Sequence, residues 1–142
     1  MTPLPESPAL QQVLAQARDI ALQADQRPSS AHLLLALFTV PNRAEGLLQS
    51  FDINEETVLA QIGRMEDEAE GTLPSLKRYS LEFAVSCDHR IVDCLHLLAA
   101  LTRAQNSFAH QLLARAGVSM PRLRTAAIRA ASSLPKMHLQ RS

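Results

Sequence analysis

Two stretches of the 142-residue chain repeat each other in the same order. His32-Leu-Leu-Leu-Ala-Leu37 returns 64 residues later as His96-Leu-Leu-Ala-Ala-Leu101. Ala44, Leu47, Leu48 and Phe51 return 65 residues later as Ala109, Leu112, Leu113 and Ala116, which places one inserted residue between them. Ile53 and Val118, Asn54 and Ser119, and Val58 and Leu123 continue the match. A chain rich in Leu and Ala supplies any one of these pairs by chance, but not turns, caps and apolar faces twice in one order. Such a period restricts the fold to two copies of one supersecondary unit, each burying against the other what it cannot bury alone.

The unit is helical. In the first copy Val13, Leu14, Ala17, Ile20, Ala21 and Ala24 recur at helical spacing. Ala31 to Phe38 is apolar nearly all round and reads as a buried central helix, with Ser29 and Ser30 available as caps. A short helix ends near Phe51, and Asn54 caps a fourth through Val58, Ile62 and Met65. In the second copy Leu76, Tyr79, Phe83 and Cys87 stripe a helix, and Leu95 to Leu101 is again apolar on all sides. Gly117 ends the third helix, as a residue suited to the left-handed cap, and Ser119 opens the fourth. The expectation is an all-α protein of two pseudo-symmetric four-helix repeats packed as one domain. The boundaries read as a disordered lead-in over 1–7, a first repeat over 8–70, a linker over 71–75, a second repeat over 76–131 and a flexible tail or linker over 132–142. The second repeat reads as several residues shorter between its first helix and His96. Composition agrees: 46% of residues are hydrophobic but only 4% aromatic, which favours helix over strand.

Formal net charge is zero, yet the charge is unevenly spread. No acidic residue follows Asp93, whereas Arg103, Arg115, Arg122, Arg124, Arg129, Lys136 and Arg141 do; the run Met65-Glu-Asp-Glu-Ala-Glu70 is acidic. Solvated helix faces account for this pattern. The alternative is a nucleic-acid-binding or regulatory protein that uses the basic C-terminal third, and the neutral total and absence of a recognition-helix pattern argue against it. No apolar run approaches the roughly 20 residues of a membrane span, no signal peptide is visible, and two cysteines make no disulfide framework. A cytoplasmic setting fits.

The ordered pattern resembles the double Clp repeat, the N-terminal domain of Clp-family ATPases such as ClpA and ClpC. Val13-Leu14-Ala15-Gln16-Ala17 and His32 to Leu37 carry the first copy. Leu73-Pro74-Ser75, Ser80-Leu81-Glu82-Phe83-Ala84, His96 to Leu101 and Ala116-Gly117-Val118 carry the second. Asp52 stands where the first copy of the family usually has Gly; Asp tolerates the same backbone angles. The resemblance implies docking of substrate proteins or small adaptors, which a Clp-type ATPase ring in cis or in trans then receives. It implies no catalysis in this chain and no cofactor; a monomeric module is expected because nothing in the sequence suggests a coiled coil. A binding groove is expected where the halves meet, because joining faces need not fill completely. By the same analogy Leu73, Lys77, Arg78 and Tyr79 are the groove residues, while His32, His96, Leu48, Leu113 and Gly117 are structural repeat positions.

Chemistry is otherwise sparse. There is no G-x-x-x-x-G-K-[ST] phosphate loop, so the chain cannot cradle nucleotide phosphates. Cys87, His89, Cys94 and His96 spell C-x-H-x4-C-x-H, four zinc-ligand types within ten residues. One-residue spacings leave no room for a knuckle, and His32 repeats His96 without any cysteine. The histidine therefore reads as a first-turn structural residue bonded to a neighbouring loop. A Cys–His catalytic pair lacks an orienting acid and an oxyanion hole, and Asp93 reads as a helix cap.

Overall fold

The computed structural model describes residues 4–62 and 67–134. Among them are eight helices and no strand: α1 (Pro8–Gln23), α2 (Ser30–Thr39), α3 (Ala44–Ser50), α4 (Glu55–Ile62), α5 (Thr72–Ser86), α6 (Cys94–Arg103), α7 (Phe108–Arg115) and α8 (Met120–Ala131). Four fall in each half, as the repeat requires. Met65 and Glu66 of the acidic run, and the tail from Pro135, lie outside the described residues.

α2 and α6 form the centre. Leu34, Leu37, Leu98 and Leu101 are completely buried, as are Ala36, Ala99 and Ala100. These helices are apolar on every side because every side is covered. α1 and α4 pack on α2, α5 and α8 pack on α6, and α7 reaches across to α2 while α3 reaches α8. One continuous core contains residues of both repeats.

The same chain-end chemistry closes the first and third helix of each half. Asp25, Asp52, Asp88 and Gly117 all take positive φ, at 56°, 62°, 63° and 84°. After each, the next amide reaches back to the third-last helical carbonyl: Gln26 to Ala21, Ile53 to Leu48, His89 to Ala84 and Val118 to Leu113, at 2.8–3.1 Å. These are four Schellman closures. They give Leu48 and Leu113 their repeat role, since each supplies both the accepting carbonyl and a fully buried side chain.

Three expectations are corrected. The connector between the first and second helices is not shorter in the second repeat. It runs over 24–29 in the first half and 87–93 in the second, so it is one residue longer. The first helices do correspond, at a spacing of 63: Leu10, Val13, Ala17 and Ala21 match Leu73, Leu76, Ser80 and Ala84. A serine in place of Ala17 hid the register, and its hydroxyl bonds back to the Leu76 carbonyl at 2.8 Å. The expected linker is mostly helix, because α5 begins at Thr72 and takes in Leu73, Pro74 and Ser75. Proline is tolerated there because a first-turn amide has no acceptor inside the helix. Lastly, Leu4–Ser7 is not a disordered lead-in. The Ser7 amide donates to the Val92 carbonyl at 2.8 Å and the Val92 amide to the Pro5 carbonyl at 2.9 Å. Ser7 Oγ then caps α1 through the Leu10 amide.

Candidate functional site

Each central helix opens with the same device. The Nδ1 atom of His32 accepts the Ser29 amide at 3.0 Å, and Nδ1 of His96 accepts the Asp93 amide at 2.9 Å. Both histidines are third residues of their helices and reach back to the residue that precedes it, the geometry of a capping box. An accepting Nδ1 puts the proton on Nε2. That proton goes from His32 to Gln26 Oε1 at 2.9 Å, and from His96 to His89 Nδ1 at 2.8 Å. Burial lowers the His96 pKa to about 4, helped by His89 and opposed by Asp93. Burial also lowers that of His32, against the opposing pull of Glu68.

His96 has thus committed both ring nitrogens within the protein. Cys94 is buried, and desolvation, then Asp93, pushes its thiol up to about 12. Among the described residues no three His, Cys, Asp or Glu side chains are placed to share a metal ion.

Glu68 is the residue that sequence reasoning missed. It belongs to an acidic run read as solvated, yet it is 8% exposed. Its carboxylate accepts the Ser30 amide at 2.8 Å, the Ser30 hydroxyl, and the Phe108 amide at 2.6 Å. Ser30 Oγ in turn accepts the Ala109 amide at 2.8 Å. One carboxylate therefore satisfies the N-termini of α2 and α7, one from each half, where amides lack acceptors and the helix dipole favours negative charge. Arg27 flanks it with exposed ion pairs to Asp67 and Glu70, both at 3.6 Å. No pattern in the sequence separates Glu68 from its neighbours Glu66, Asp67 and Glu70.

The main concavity is a groove of about 480 Å³ between α1 and α5, floored by the starts of α2 and α6. Its walls are pseudo-symmetric. Leu10 and Leu73, Ala17 and Ser80, and Leu33 and Leu97 are equivalent positions, and all six line it. Arg18 and Lys77 bring a cation from each wall, with Leu81 and Leu14 at the corresponding places opposite. The groove straddles the joint between the repeats. No aromatic side chain lines it; Tyr79 and Phe83 of α5 are not among the lining residues.

Of the four expected groove residues, Leu73 and Lys77 line it. Arg78 and Tyr79 do not; they turn to another face of α5. There the Tyr79 ring meets the guanidinium groups of Arg103 at 4.0 Å and Arg78 at 5.2 Å. The reason is helical phase: Lys77 follows Leu76 and Leu73 toward the groove, while the next two residues rotate some 100° each away from it. Leu10, Leu14, Leu33 and Leu97 also line the groove; the last three lie in the repeat motifs, which do not mark them as groove residues.

The basic C-terminal third is partly consumed by the fold. Arg103 pairs with Glu82 at 2.8 Å, and Arg124 binds the Thr102 hydroxyl and carbonyl at 2.9 and 3.0 Å. Arg115, Arg122 and Arg129 are exposed, and Lys136 and Arg141 lie outside the described residues. Among the described residues no helix is long and apolar enough to cross a membrane.

No curated protein matches the chain. Residues 78–142 match the family model of the Clp repeat (R) N-terminal domain. The Hsp104 N-terminal domain from Candida albicans superposes with a TM-score of 0.76 at 15% identity, covering 93% of this chain and 95% of that one. The N-terminal domain of the caseinolytic protease associated chaperone ClpD from Arabidopsis thaliana gives 0.73 at 17% identity, covering 88% and 96%. The second half of this chain therefore carries the sequence pattern of a Clp repeat N-terminal domain, and nearly its whole length has the fold of the Hsp104 and ClpD N-terminal domains.

Proposed function

We propose that this chain is a non-catalytic docking module for a Clp-type chaperone ATPase, holding an apolar segment of a client or adaptor protein in the groove between α1 and α5. The observation that carries the reading is the groove itself: an aliphatic trough on the joint between repeats, with a cation on each wall. Leu and Ala walls give up area-dependent binding energy without demanding a particular side chain. That is what a receptor for varied unfolded segments needs. Mechanical work and ATP hydrolysis would come from a ring in cis or in trans, in the cytoplasm.

The test is binding of a fluorescein-labelled, twelve-residue peptide rich in Leu and Ala, read by anisotropy. Leu14→Asp and Leu81→Asp place a carboxylate on either wall and are expected to weaken binding about tenfold or more. Arg78→Ala and Tyr79→Ala, facing elsewhere, are expected to leave it unchanged. Loss of binding in the Arg78 and Tyr79 variants with none in the groove variants would move the site to that other face.

A further inference from the structure

We infer that the segment Asp67–Gly71 is a strap that sets the width of the groove, with Glu68 as its positioning residue. This rests on the reading of the groove as the binding site and assigns that site a means of regulation.

Glu68 is fastened to Ser30, the first residue of α2, and to Phe108 at the start of α7. Immediately before Ser30 stand Pro28 and Ser29, which line the groove, and Leu33 one turn later lines it too. Only four residues after Glu68 comes Thr72, the first residue of α5. The first turns of α5 supply Leu73, Pro74, Leu76 and Lys77 to the α5 wall. One short segment thus ties the α2 end of the floor to the α5 wall, and the Ala69 carbonyl holds the Thr72 amide at 3.0 Å across its turn. The far side of the same corner is also tied. Gln26, which takes the His32 Nε2 proton, donates its own amide to the Ile62 carbonyl at 3.2 Å. The connector between the repeats is therefore bonded to the 26–32 corner both before and after residues 63–66.

The arrangement is one-sided, although the fold is pseudo-symmetric. At the equivalent corner of the second half Cys94 replaces Ser30, and α6 is capped from within by Asp93. No carboxylate from the other repeat enters there among the described residues. The strap is consequently an addition to the repeat fold and not a product of it. A buried carboxylate that accepts three hydrogen bonds is held strongly, whereas the two Arg27 pairs beside it are exposed and screened. Seating is therefore decided by Glu68 itself. A groove with its walls fixed beforehand binds with less ordering cost than one that must be set by its ligand. Releasing the strap lowers affinity, and a ligand that fits the set groove stabilises the seated strap in return.

The experiment uses Glu68→Gln, which keeps the shape but presents an amide nitrogen to one of the two helix amides, and Ser30→Ala, which removes only the hydroxyl. Spin labels at the exposed lining residues Pro28, just before α2, and Lys77, on the α5 wall, in a Cys87→Ser background, report the distance that the strap spans without any ligand. Both variants are expected to broaden that distribution, and to speed hydrogen exchange of the Phe108 and Ala109 amides about tenfold. Glu68→Gln is also expected to lower the NMR-measured pKa of His32, since it removes the charge that favours the imidazolium. The labelled Leu/Ala peptide is expected to bind about five- to tenfold more weakly. Unchanged distance and exchange in both variants would overturn the strap, whatever the peptide does. A changed distance with unchanged peptide affinity would overturn its control of the site. If the unmodified protein bound no peptide while the distance still broadened, the groove reading would fall and the regulatory role with it, leaving Glu68 as a structural clamp. A variant that fails to fold shows as loss of the helical CD signal, and the other variant then decides.

Discussion

At the scale of single residues, burial controls chemistry. His96 is fully buried with both nitrogens in use, and its pKa is lowered to about 4. An unfolded histidine titrates near 6.5. Above that pH both states are neutral and the residue adds no pH dependence. As pH falls through 6.5 the unfolded chain takes up a proton that the folded one refuses, so stability declines until about pH 4 and then levels off. The loss is on the order of 3 kcal/mol for this group, and the lowered pKa of His32 adds in the same direction. Glutamine at the third helical position can still accept the cap amide. His96→Gln is therefore expected to lower stability at pH 7 but to flatten its decline between pH 6.5 and 4, as measured by urea unfolding at several pH values. Cys94 gives a second check, because its buried thiol is pushed up to about 12 while Cys87 is partly exposed. A thiol reagent at pH 8 is expected to label one cysteine per native chain and two after denaturation. Labelling of both in the native state would contradict the burial.

At the scale of elements, the helix ends carry the repeat as much as the apolar faces do. Four helices close through a residue at positive φ, and three of the four use Asp where glycine would be unstrained. Asp52→Gly is expected to be neutral or to stabilise by up to about 1 kcal/mol. Gly117→Ala is expected to cost about 1 kcal/mol, entirely from backbone strain, because a Cβ there would meet nothing within 4 Å. Thermal unfolding of the pair decides this, and a Gly117→Ala protein as stable as the parent would deny the left-handed closure. The groove, too, is an element-scale feature, since α1 and α5 leave it by facing each other with aliphatic and small residues.

At the scale of the whole molecule, α2 and α6 share one core, so the halves are expected to unfold together. Leu34→Ala in the first repeat and Leu98→Ala in the second each empty a fully buried site and are expected to cost about 2–5 kcal/mol. Each is expected to shift a single transition that monitors both halves. Two separated transitions by calorimetry would show that the repeats fold independently. Charge is distributed at this scale as well. The basic side chains of the last third partly brace α6 through Glu82 and Thr102, which leaves a smaller free basic face than the sequence count suggests.

The sequence by itself determined the helices, their caps, the doubling and the buried centre, because these follow from local periodicity and from short-range hydrogen bonding. His32 and His96 were legible as first-turn residues bonded to a loop, and Asp52 as a turn residue in place of glycine, for the same reason. Arg78 and Tyr79 group with Leu73 and Lys77 as long as Leu73 reads as linker; once it lies in the first turn of α5, about 100° per residue turns those two away from it. The register of α1 with α5 was hidden by a serine in place of an alanine and by one added residue in the following connector. Only the tertiary structure could single out Glu68 among neighbouring acids, because its three donors lie 38 and 40 residues away in sequence and meet nowhere but in the folded chain.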